Sequence, residues 1–127
     1  MISLKPVDFL TIQKYFVDYQ KKSKNYEMPP DQAELVGIYR GEELIGYFIT
    51  VIYKPQMILE INQGYLKPEA RHKNLSKISM SLLEDIARKV GIKKIMLGTN
   101  RAVGSYIRFM KSMNYNIERA IFAKEVE

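Results

Sequence analysis

The chain has 127 residues and no cysteine, and lysine plus arginine outnumber aspartate plus glutamate by 20 to 14. That length supports a single domain, residues 1–127, around one core, and the missing cysteines exclude a disulfide framework, thiolate catalysis and cysteine metal sites. The positive balance favours anionic partners such as nucleotides, phosphorylated cofactors, nucleic acid or acidic surfaces, and argues against a cationic substrate such as a polyamine.

The chain opens Met1-Ile2-Ser3-Leu4-Lys5-Pro6-Val7-Asp8, without the pattern of a signal peptide. No apolar run approaches the length of a membrane span. With no cysteine in the chain, the simplest expectation is a cytoplasmic protein, and one with no membrane partner. Residues 1–4 read as a short first strand. Across residues 7–19, Val7, Leu10, Ile12, Tyr15, Phe16 and Tyr19 recur at roughly helical spacing. Residues 21–34 are polar and hold Pro29-Pro30, which predicts a loop or a broken short helix bordering a functional site.

Residues 35–40 and 44–53 read as a hairpin across Gly41-Glu42-Glu43, and a third strand over 57–66 follows the turn Lys54-Pro55-Gln56. The clearest helix starts at Asn74 or Leu75 and runs to Val90. Leu75, Ile78, Leu82, Leu83, Ile86 and Val90 are expected on its apolar side, with Gly91 as a left-handed cap. A buried strand over 92–97, a second amphipathic helix over 105–113 and a closing strand over 115–124 complete the chain. The order, roughly β-α-β-β-β-α-β-α-β, predicts an α/β (α+β) fold with helices against a mixed sheet.

The richest segment runs from Glu60 through Leu66 to Ser76: a strand, a short basic loop, then a helix start. Arg71, Lys73 and Lys77, with His72 when protonated, place positive charge beside orphan backbone donors, which suits a phosphate. A solvated basic helix start would look the same. Glycine is usual where a backbone wraps a pyrophosphate. Here Asn74 can adopt the left-handed conformation, and Ser76 is a less obvious replacement.

At these residues the chain resembles the GCN5-related N-acetyltransferase (GNAT) superfamily. That family's acetyl-coenzyme-A loop carries glutamine or arginine, two variable residues, glycine, one variable residue, then glycine or alanine. Arg71-His72-Lys73-Asn74-Leu75-Ser76 fits this register with both small positions altered, a degenerate version of the loop. The lead-in Leu66-Lys67-Pro68-Glu69 and the element order also follow the family, while residues 21–34 are shorter than its usual two-helix region.

The resemblance implies a single-domain fold with a mostly antiparallel sheet, acetyl-CoA as cofactor, and an amine-bearing small molecule or protein as acceptor. It assigns Arg71, His72, Lys73, Asn74, Leu75 and Ser76 to the cofactor phosphates, and backbone groups near Gly64 and Leu66 to its pantetheine arm. Asn100 follows the strand over 92–97 and is expected at the pantetheine or the acceptor. Glu60 stands where histone-type members carry a general base. By simple alternation Glu60 would share a strand face with Asn62 and Gly64. The family's thiolate-protonating tyrosine corresponds to Met110, which cannot donate a proton, leaving Tyr106 one turn earlier as the candidate acid.

A non-catalytic GNAT-fold structural or interaction protein is the alternative. The segment Ser105-Tyr106-Ile107-Arg108-Phe109-Met110-Lys111 resembles the last helix of compact bacteriophage members, some of them virion-associated. A nucleic-acid-binding module is the third reading, and the lack of a helix-turn-helix signature or aromatic-basic interleaving argues against it. The last helix and closing strand could form a homodimer contact. A single histidine gives no basis for a histidine metal site or triad. Glu84-Asp85 are helix neighbours that do not face each other.

Overall fold

The computed structural model describes residues 1–24, 26–71, 74–98, 104–118, 124 and 126, without the side chains of 104–106. Asp8 starts the first helix, α1 (Phe9–Ser23), by accepting from the Thr11 backbone N–H at 2.9 Å and from its hydroxyl at 2.6 Å. Such a cap satisfies a donor that the first turn leaves orphaned. Lys21 and Lys22 sit in the last turn, where cations complement the helix dipole, and Lys24 ends it in the left-handed conformation. Phe9, Ile12, Phe16 and Tyr19 follow the helical repeat and turn toward the sheet, with Ile12 and Phe16 buried.

The sheet has five strands in sequence order: β1 (Ile2–Pro6), β2 (Glu34–Arg40), β3 (Glu43–Tyr53), β4 (Ile58–Leu66) and β5 (Lys94–Leu97). Adjacent pairs from β1 to β4 are antiparallel, and β4–β5 is parallel. The hairpin between β2 and β3 turns at Gly41, whose φ of +62° is a conformation glycine adopts without a Cβ penalty. The fold is therefore a single α+β domain with a mixed, mostly antiparallel sheet between helices. Residues 24 and 26–33 are irregular, so one helix separates β1 from β2.

Two clusters fill the two faces. On one, Ile12, Phe16, Tyr47, Ile49 and Tyr65 lie beneath α1. On the other, Ile38, Ile45, Phe48, Leu59, Ile61 and Leu66 meet α2 (Leu75–Lys89) and Met110 of α3 (Gly104–Ser112). The buried row of α2 is Leu75, Ser79, Leu83 and Ala87, with Met80 beside it. Ile78, Ile86 and Val90, expected on the core side, are exposed instead. The small side chains of Ser79 and Ala87 define the buried row, and the Ser79 hydroxyl is satisfied by the Leu75 carbonyl at 2.7 Å. Gly91 follows with φ +87°, the expected cap. Of the closing strand expected over 115–124, residues 115–118 are irregular and 119–123 lie outside the described residues.

Candidate functional site

The site is built on one irregularity in β4. Ile49 of β3 pairs with Gln63, yet the next β3 residue, Thr50, pairs with Ile61. Asn62 is the extra residue of a β-bulge, a device that re-aims side chains. Leu59 and Ile61 belong to the α2 face, so Glu60 between them points to the α1 face. Past the bulge the alternation is reset: Tyr65 and Gln63 turn to the α1 face, and Gly64 and Leu66 to the α2 face. The face shared by Glu60 and Gly64 under simple alternation is thus corrected. Glu60 shares its face with Gln63 and Tyr65, because the strand holds one more residue than the pairing consumes.

Among the described residues, the second half of the same strand has a partner on only one edge. Pairing between β4 and β5 covers Ile58–Ile61 against Lys94–Leu97 among the described residues. The Lys67 N–H donates to the Ile45 carbonyl of β3 at 2.8 Å. Backbone groups alternate edges along a strand, so those of Leu66 and Gly64 turn to the opposite edge, which no described strand covers there. The Leu66 carbonyl there accepts from Arg71 Nε at 2.7 Å. A Cβ on Gly64 would touch the Phe48 ring at 3.4 Å, so the glycine lies flat against that aromatic side chain.

After β4, a single 3-10 turn (Pro68–Ala70) leads to the start of α2. Asn74, at the position of the first small residue of the loop pattern, has φ +61°. Asparagine is among the few residues that visit this region readily. Its side chain caps nothing, and the first intrahelical bond it receives is from Ile78 N–H at 3.1 Å. The amides of Leu75, Ser76 and Lys77 therefore stand at the positive end of the helix without intrahelical partners. The Leu75 side chain is buried and Ser76 is half-buried. His72, Lys73 and Asn100 lie outside the described residues, as does the side chain of Tyr106, which falls within α3.

Arg71 has a partner set that sequence did not suggest. Besides its bond to Leu66, its guanidinium lies 5.3 Å from the Tyr65 ring centroid. It ties the end of β4 to the loop before α2. Tyr65 stacks on Tyr47 at 5.5 Å and on Tyr15 of α1 at 5.7 Å. Gln63 Nε2 donates to the Tyr47 hydroxyl oxygen. Burial, reinforced by neighbouring Tyr65, pushes the Tyr47 hydroxyl far above its ordinary range, so it stays protonated. Tyr65 is also pushed up, first by burial and then by Asp18, to which its hydroxyl donates at 3.4 Å.

Glu60 is half-buried and accepts a hydrogen bond from the Tyr53 hydroxyl at 3.1 Å. Tyr53 faces it diagonally from β3, and this bond with the carboxylate raises the phenol above its usual value. Sequence reasoning missed Tyr53, Gln63, Tyr47 and Asp18. A polar Gln63 within a β-strand and Tyr15 and Tyr19 one turn apart on α1 were the available signals. Among the described residues no cluster of histidine and acidic side chains could hold a metal, and no helix is long and apolar enough to cross a membrane.

Comparison with known proteins bears on the family and the fold. The profile of the acetyltransferase (GNAT) family matches residues 5–115. YycN from Bacillus subtilis, a candidate acetyltransferase, superposes with a TM-score of 0.81 at 15% identity, over 100% of this chain and 99% of that one. A ribosomal-protein-alanine N-acetyltransferase from Brucella melitensis biovar Abortus gives 0.72 at 13% identity, over 100% of both chains. The aminoglycoside acetyltransferase meta-AAC0020 from an uncultured soil sample, in complex with sisomicin, gives 0.71 at 7% identity, over 99% of this chain and 97% of that one. No curated protein sequence matches the chain. The likeness of residues 105–111 to bacteriophage members has no counterpart among the relatives named here. The profile spans both the bulged strand and the loop before α2, and the chain belongs to the acetyltransferase (GNAT) family.

Proposed function

We propose that the protein is an acetyl-CoA-dependent N-acetyltransferase acting on a primary amine. The observation that carries this reading is the edge of β4 beyond Ile61, which pairs with no strand among the described residues, followed by α2 amides that have no intrahelical partner. The residues fit the cofactor. An extended amide-bearing arm can add to an unpaired strand edge through backbone hydrogen bonds, and here Gly64 and Leu66 supply them. The amides of Leu75 and Ser76, with Arg71, His72 and Lys73 before them, suit the pyrophosphate. Asn74 at φ +61° does what a glycine would do there. Asn100 is assigned to the pantetheine or acceptor on the family resemblance.

Bound acetyl-CoA supplies an acetyl group activated as a thioester. The chain's own part is to orient it, remove a proton and exclude competing water. Glu60 takes the proton from the acceptor ammonium, freeing the nitrogen lone pair. Tyr53 holds the carboxylate in one rotamer. The strand-edge amides favour negative charge developing on an acyl oxygen. Tyr106 is the candidate to protonate the departing sulfur.

A GNAT-fold binding protein without transfer chemistry is the second reading. Met110 favours it, because the family's usual tyrosine position is here a core methionine only 9% exposed. Calorimetric titration with acetyl-CoA, with coenzyme A and adenosine diphosphate as controls, tests both. Saturable 1:1 binding is expected, followed by acetylation of an amine panel that Glu60→Gln suppresses by ~10²-fold, as loss of a general base does. Binding without turnover would favour the second reading. A folded protein that binds no acetyl-CoA would sink the cofactor site altogether.

A further inference from the structure

A groove of about 930 Å³ runs between α1 and the turn after β4, lined by Leu10, Lys14, Val17, Lys21, Tyr65 and Lys67 among others. Its volume lies within the range of ligand sites. One wall is the outward stripe of α1. There Leu10 is 77% exposed and Val17 38% exposed, two aliphatic side chains seven residues apart that serve neither core cluster. Alternating with them on the same stripe are Lys14 and Lys21, also seven apart. The floor is aromatic, from Tyr15 and Tyr65.

Six ionisable residues other than tyrosine line the groove: Lys14, Asp18, Lys21, Lys22, Lys67 and Glu69. Lys22 is paired with Asp18 at 3.1 Å and Lys67 with Glu43. Lys14 and Lys21 form no ion pair among the described residues. A seven-residue separation on a helix is about 10.5 Å. Side chains three residues apart on an extended, polyproline-like segment are about 9 Å apart on one side. The two ammonium groups thus match two carboxylates three residues apart, with an apolar side chain between them for the Leu10–Val17 stripe.

We infer that this groove docks an extended acidic peptide segment with an apolar anchor, carried by a protein acceptor. Its position sets the distance to the chemistry. Tyr65 and Glu60 share the α1 face, and the stretch of β4 between them is roughly 15 Å long. An extended peptide covers that in four or five residues, so the acidic segment belongs that far from the amine that is modified. This last step rests on Glu60 as the base; the docking itself does not.

The test is fluorescence polarisation with a ten-residue peptide that has a free N-terminal amine and, from its fifth residue, two glutamates three apart flanking a leucine. A lysine-for-glutamate peptide, mixed-sequence oligonucleotides and phosphatidylserine vesicles are the competing probes. The acidic peptide should bind best, weaken as salt rises, and lose at least tenfold in affinity on Lys14→Glu with Lys21→Glu. That double variant should bind the lysine peptide instead. Equal affinity for the two peptides, an unchanged dissociation constant in the double variant, or preference for oligonucleotide or vesicle would overturn the inference. Both substitutions are on the exposed face of α1, and circular dichroism checks that the variant folds. Acetyl-CoA titration of the same samples separates the two claims: peptide docking without cofactor binding retains the groove and removes the transferase.

Discussion

Gly46 offers a sharp test of how β3 meets β4. A Cβ placed on it would lie 2.1 Å from the Tyr65 carbonyl oxygen and 3.1 Å from the Leu66 Cα. Both are backbone atoms of the strand that carries the open edge, so no rotamer change relieves the contact. Gly46→Ala must push the end of β4 away. Overpacking of this kind costs up to about 3 kcal/mol, and removing a glycine from a strand returns roughly 0.7 kcal/mol. The expected net loss is about 2 kcal/mol. With an m-value near ~1.5 kcal/mol per M, the urea midpoint should fall by about 1.3 M. The melting temperature should fall by roughly 8 °C. Gly98→Ala is the control, since among the described residues nothing lies within 4 Å of its added Cβ. It should leave both midpoints unchanged or slightly raised. If Gly46→Ala falls within ~0.5 kcal/mol of the parent, as a harmless surface change would, the close approach of the strands at Tyr65 is wrong. If stability drops while acetyl-CoA binding is retained, Leu66 is not part of the cofactor edge.

Asn74→Gly should leave stability within a few tenths of a kcal/mol, whereas Asn74→Val forces a β-branched residue to φ +61° and should cost about 1–2 kcal/mol. Calorimetry should then show acetyl-CoA affinity kept in the first and reduced in the second. Arg71→Lys keeps the charge but loses the planar Nε donor to Leu66, so it should behave more like Arg71→Ala than like the parent in cofactor binding. The Tyr115 hydroxyl donates to Glu84 at 2.8 Å, and burial together with that carboxylate pushes it far above its ordinary value. A raised phenol contributes stability that is full below pH ~10 and lost as pH rises toward its folded value. Tyr115→Phe should therefore flatten the alkaline limb of stability measured by urea titration, while leaving a deficit of about 1–2 kcal/mol at neutral pH from the unmatched Glu84.

The parts of the fold legible in sequence are those governed by local periodicity. The Gly41 hairpin, the span of α2 and its Gly91 cap follow from spacing and from residues suited to positive φ. Three features were not legible. Which row of α2 faces the sheet depends on Ser79 and Ala87, small residues that carry little hydrophobic signal, so periodicity alone puts Ile78 and Ile86 inside. The bulge at Asn62 is a relation between two strands, and neither strand alone encodes it. Arg71 reads as a phosphate ligand because charge at a helix start is local information; its bond to Leu66 and its place over Tyr65 need the loop closed. At the candidate site, Asn74 in the left-handed conformation was readable from residue type, while the Tyr53 bond to Glu60 depends on the register of β3 against β4.

The extra residue in β4 also sets how the segment tolerates change. Positions before and after Asn62 are out of phase, so the even-numbered residue exposed to α1 at 60 has odd-numbered counterparts at 63 and 65. Substitution tolerance along β4 should switch parity at one point instead of alternating throughout. Deleting Asn62 would restore a regular ladder and rotate one half of the strand relative to the other. Either Glu60 would enter the aliphatic layer beneath α2, or Tyr65 would leave its aromatic stack. A one-residue deletion there is thus more damaging than most substitutions at the same position, and any sequence comparison that slides across Asn62 by one residue will pair core positions with site positions.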